Sequence, residues 1–182
     1  SFFNKEAIYY PAKDAIFYSA DVHGNQITGE RLRCISRIIN HSSTGEGVLT
    51  VVTTMDGIAD RLIPVERFKE AVITLDYSSE IEPEKLAKKL VAMGFVRTGM
   101  VEDKGQFAIR GGIIDIFSYT DEAPVRIELW DTEVDSIRMF DVESQRSIER
   151  LQSYSIFPAT EYIFTEDELK NGLYNIKEEC HR

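Results

Sequence analysis

From Phe95 to Phe140 short apolar segments follow one another so closely that a sheet of neighbouring strands is the arrangement that accommodates them. They read as strands at 95–101, 106–117, 125–130 and 134–140. The turns between them are Glu102-Asp103-Lys104-Gly105, 118–124 and Asp131-Thr132-Glu133. Another strand, 71–75, precedes the series. Pro83 suits the first position of a helix whose stripe is Leu86, Leu90 and Met93, and Gly94 is placed to stop it. A meander carrying one helix is α+β in class.

The sequence before it has a different texture. Ala7-Ile8-Tyr9-Tyr10 reads as a buried strand ending at Pro11. Thr28 is placed to cap a helix over 30–39, with Leu32, Ile35, Ile38 and Ile39 on one face and Arg31, Arg33 and Arg37 elsewhere. A loop is expected at 42–47. The run 48–53 is nearly all apolar, as in a strand covered on both faces. Strand, helix, strand predicts a parallel α/β unit, and a partial one, because so few elements cannot enclose a core. After Ile156-Phe157-Pro158, Thr165 and Glu168 form a capping box before Leu169, Leu173 and Ile176. The expected organisation is therefore a partial α/β unit at 1–70, a sheet domain at 71–155, and the start of a further segment at 156–182. A first residue other than Met, and an end inside a predicted helix, argue for a piece of a longer polypeptide.

Charge divides the chain at the same point. Of the formal −10, residues 1–70 hold −1 and residues 71–182 hold −9. So acidic a chain is a poor general binder of nucleic acid. No apolar run approaches the ~20 residues that span a bilayer, and a reducing, cytoplasmic setting fits the two unpaired cysteines. Cys34 lies on the apolar helical stripe and is expected to be a buried free thiol. No phosphate loop occurs, Asp21-x-His23 has no nucleophile placed beside it, and His181 next to Cys180 is a weak metal signal. The acid-rich stretch Glu128, Asp131, Glu133 and Asp135 reads as a solvated edge that discourages sheet pairing.

The candidate site lies in 105–138. Arg110 alternates with the apolar pair Phe107 and Ile109 and so points away from their face. At Gly111-Gly112 the pattern changes, which predicts a bulge or a close backbone approach. Arg126 and Glu128 stand on one face, roughly 6.5 Å apart at about 3.3 Å per residue. Arg97 lies on the strand before. These charges read either as ordinary surface pairs or as a protein-docking face selective for an acidic or polar partner.

The stretch Gly105-Gln106-Phe107-Ala108-Ile109-Arg110-Gly111-Gly112-Ile113-Ile114-Asp115-Ile116-Phe117, with Arg126-Ile127-Glu128-Leu129-Trp130 and Phe140-Asp141-Val142-Glu143-Ser144-Gln145-Arg146-Ser147, resembles the bacterial transcription-repair coupling factors (Mfd) in their N-terminal UvrB-like module. Tyr10-Pro11-Ala12-Lys13-Asp14 and 51–57 extend the likeness upstream. The resemblance implies a degenerate RecA-like unit followed by a domain that docks the damage-recognition protein UvrA through Arg97, Arg110, Arg126 and Glu128. It implies a non-catalytic adaptor with no cofactor or metal of its own. ATP and Mg, RNA polymerase and DNA would be engaged by other parts of the parent, an ATP-dependent translocase, whose C-terminal domain would mask the docking face. The alternatives are a fragment of a UvrB-like ATP-dependent helicase subunit or a chiefly autoinhibitory interface. Two positions depart from the family pattern: Ala108 stands where an arginine is found, and Asp131-Thr132 where Gly-Asp is common.

Overall fold

In the computed structural model, which describes residues 7–13, 21–44, 48–60 and 62–180, the strand Ala7–Tyr10 (β1) is followed by the helix Asp21–Thr44 (α1). The helix is longer than predicted at both ends, so Thr28 lies inside it rather than capping it. At its C-terminal end the hydroxyls of Ser42 and Thr44 bond back to the carbonyls of Ile39 (2.8 Å) and His41 (3.2 Å), which lets polar residues continue the helix into the expected loop. Residues 45–47 of that loop, the side chains of Asp21 and His23, and His181 lie outside the described residues. The strand Thr50–Thr53 (β2) pairs in parallel with β1, as expected of the α/β unit. Its two-sided burial is corrected: Val51 and Val52 are exposed, and among the described residues β1 is its single ladder partner. Cys34 is buried and free, packed against Ile8 and Tyr10, and burial pushes its thiol pKa up.

Two short helices, Met55–Ala59 (α2) and Val65–Ala71 (α3), come next. Thr54 starts α2 by accepting from the Gly57 N–H at 3.2 Å. Because α3 reaches Ala71, the following strand Ile73–Asp76 (β3) begins two residues later than predicted. The helix Pro83–Ala92 (α4) then ends as its sequence dictates, with Gly94 at φ +89°.

The main sheet has the order β4-β5-β6-β7-β8-β9. Its strands are Val96–Arg97 (β4), Gln106–Arg110 (β5), Ile113–Phe117 (β6), Val125–Trp130 (β7), Glu133–Phe140 (β8) and Ser147–Arg150 (β9). All neighbours are antiparallel except β4 and β5. The predicted strand 95–101 shrinks to β4, because Thr98 donates its hydroxyl to the Met100 carbonyl (2.8 Å) and the chain bends away. The predicted strand 106–117 is a hairpin. Gly111, at φ +61°, turns the chain so that Arg110 faces Ile113. The close approach falls at Gly112, where an added Cβ would lie 2.8 Å from the Leu129 carbonyl oxygen; the register irregularity falls on β7, between Glu128 and Leu129.

Helix α4 covers one face of this sheet. Leu86, Leu90 and Met93 pack with Phe107, Ile114, Ile116, Val125, Ile127 and Ile137, each such side chain contributing up to about 1.5–3 kcal/mol. After the sheet, Ser153–Ile156 (β10) pairs antiparallel with β3, and the helix Glu166–Cys180 (α5) opens on the predicted capping box. The Glu168 N–H donates to Thr165 Oγ1 (3.2 Å) while the Thr165 N–H donates to Glu168 Oε2 (3.0 Å).

A buried cluster joins the α/β unit to the chain beyond the sheet. Arg31 on α1 is fully buried, and its guanidinium meets both oxygens of Glu161, at 2.7 and 3.0 Å. It also donates to the Pro11 carbonyl (2.6 Å), lies over the Tyr10 ring, and sits 3.0 Å from Asp60 in a charge contact without hydrogen-bond alignment. Among the described residues no helix is long and apolar enough to cross a membrane.

Candidate functional site

The pleat of β5 to β8 carries a row of charged side chains on the face turned away from α4. Register sets Asp115 opposite Arg126, Arg126 opposite Arg138, and Glu128 opposite Ser136. Beneath and beside them Val101, Ala108 and Phe117 form a small apolar cluster with Val142. Ala108 is the direct cross-strand neighbour of Asp115. Its small side chain is buried there.

Asp115 is 2% exposed, and three guanidinium N–H groups converge on it. Arg126 donates from Nε to Oδ1 (2.6 Å) and from Nη2 to Oδ2 (2.9 Å); Arg110 donates from Nη2 to Oδ2 (2.6 Å). Arg126 also donates to Gln145 Oε1 (2.8 Å) and stacks 4.3 Å from the Phe140 ring centroid. Its side chain is only 12% exposed. The hydrogen bonds to Asp115 raise its pKa further above the ordinary guanidinium value. Beside this group Glu128 accepts from the Ser136 hydroxyl (2.6 Å) and from Arg138 Nη2 (2.5 Å). Three arginines against two carboxylates leave the row one charge positive within an acidic domain.

Of the residues singled out in the sequence, Arg110, Arg126 and Glu128 come together here. Arg97 does not. It stands opposite Phe107 on the side covered by α4 and pairs with Glu84 of that helix at 3.2 Å. Asp115, Ser136, Arg138 and Gln145 were not anticipated. The available signal was Asp115 itself, a lone acid within the apolar run of β6, which folding can tolerate only if cations meet it. The expected edge that discourages pairing is also corrected: Glu128 to Asp135 belong to the hairpin of two inner strands, β7 and β8, with Glu133 opposite Trp130; Glu128 is engaged across the strands, whereas Asp131, Glu133 and Asp135 are exposed. Trp130, 79% exposed, stands at the neighbouring hairpin tip.

Residues 73–162, which hold the main sheet and its charged face, match the family model of the UvrB interaction domain. The chain as a whole is homologous to a segment of the transcription-repair-coupling factors. It is 41% identical over 173 residues to that of Bacillus subtilis (strain 168), 37% over 168 residues to that of Staphylococcus haemolyticus, and 37% over 171 residues to one from Staphylococcus aureus. These alignments cover 95%, 92% and 93% of this chain, which spans 14% of the length of each of these relatives.

Proposed function

We propose that the chain is a non-catalytic adaptor of transcription-coupled nucleotide excision repair, and that the β5–β8 face docks UvrA. The reading rests on one observation: a UvrB interaction domain carries, on the sheet face away from its helix, arginines only partly engaged within the fold. Arg110 is 43% exposed and Arg138 is partly exposed, each with a single nitrogen bonded to a carboxylate. Exposed Trp130 lies at the end of the same sheet. Arg and Trp carry a disproportionate share of binding energy at protein interfaces, and cations in an acidic setting select an acidic or polar partner surface.

In this reading the chain has no cofactor of its own. ATP and Mg act in motor sequence of a longer cytoplasmic polypeptide, whose other parts engage RNA polymerase and DNA. Arg97 belongs to the docking surface only where UvrA wraps the β4 edge, so Arg97→Glu is expected to weaken binding less than Arg110→Glu. Calorimetric titration of UvrA with the 182-residue chain tests the assignment. Arg110→Glu should abolish the binding heat while thermal unfolding stays cooperative; unchanged affinity would refute the docking role of this face.

A further inference from the structure

One carboxylate holds two guanidinium groups on the charged face, and it treats them unequally. Arg126 gives Asp115 two nitrogens and is bonded again by Gln145, so it is nearly enclosed. Arg110 gives Asp115 only Nη2 and remains 43% exposed. Among the described residues its other N–H groups have no acceptor. A free arginine loses much rotamer freedom when a partner immobilises it, whereas one already tethered by a single nitrogen loses less. The tether itself is rigid, because Asp115 is buried on a central strand with both oxygens engaged.

We propose that Asp115 is a positioning residue for docking: it holds Arg110 in advance with the outer edge of the guanidinium free, while Arg126 keeps the carboxylate charged and in place. The role rests on the docking reading of this face. Asp115 touches no partner in it and acts through Arg110.

The first test needs neither a variant nor UvrA. In the free chain the Arg126 Nε–H resonance should persist at neutral pH with slow solvent exchange, apart from those of the exposed Arg146 and Arg150. Exchange as fast as theirs would overturn the tether. The second test is a double-mutant cycle read by UvrA affinity. Asp115→Asn preserves shape and removes the charge, and should weaken binding roughly tenfold. In the Arg110→Ala background the same substitution should change affinity by less than about twofold. A tenfold effect in both backgrounds, or none in either, would overturn the positioning role. If Asp115→Asn does not fold, Arg110→Lys replaces it: the charge stays, but an ammonium cannot hold Asp115 and present a planar fork. A roughly tenfold loss supports the role and equal affinity refutes it. Failure of the unmodified chain to bind UvrA overturns the docking reading itself, and the positioning role with it. Binding that ignores Asp115→Asn overturns the positioning role alone.

Discussion

Asp115 and Arg126 show how much the meaning of a charged residue depends on what lies beneath it. In sequence, Arg126 and Arg110 look equivalent; in the fold one is a buttress and the other is half in solvent. Charge reversal therefore has different consequences at the two positions. Arg126→Glu would set a second carboxylate against buried Asp115 and is expected to destabilise the domain by about 3–5 kcal/mol, measured by urea unfolding, so its loss of binding would be a loss of fold. Arg110→Glu should cost far less stability. Asp131 offers a change of the opposite sign. It takes φ +57° at a two-residue hairpin, and among the described residues no hydrogen bond of its side chain holds it there. Asp131→Gly should raise stability by about 0.5–1 kcal/mol, seen as a higher urea midpoint with unchanged slope; a lower midpoint would contradict this account of the turn.

Elements were legible where a local signal and the tertiary packing agreed. Helix α4 has Pro83 at its start, Gly94 after its end and one apolar stripe, and it forms as read. The Thr165–Glu168 box likewise opens α5. The β5–β6 hairpin was hidden because apolar residues resume on both sides of Arg110-Gly111-Gly112, so a turn looked like an interruption within one strand. Strand β4 is shorter than its sequence pattern because Thr98 diverts the chain, a side-chain event that periodicity does not register. The charged face was half legible: alternation aligned Arg126 with Glu128, but the partners on β6 and β8 required the register. The capping box makes a pH prediction. Its hydrogen bond from Arg67, and those from Thr165, lower the Glu168 pKa from the usual 4.5 to about 2. A folded-state pKa below the unfolded one favours the fold above about pH 4.5, and that contribution disappears as pH falls through about 2. Carboxyl NMR titration should place the Glu168 midpoint near 2, and Arg67→Ala should move it upward.

Over the whole molecule, the buried Arg31–Glu161 pair fastens segments 130 positions apart, and Lys13 joins it 3.2 Å from Glu161. Removing one side leaves the other charge desolvated, so Arg31→Met should cost about 3–5 kcal/mol in urea unfolding. A loss below about 1 kcal/mol would mean that the cluster is solvated in solution. Phe157, which follows the sheet, shares a second apolar cluster with Leu32 and Ile39 of α1 and Phe68 of α3. The stretch recognised as a family and the stretch that is physically self-sufficient therefore differ. A piece excised at 73 and 162 would carry Glu161 without its guanidinium and Phe157 without its cover. Such a piece should therefore be less stable than the 182-residue chain unless another helix stands in the place of α1.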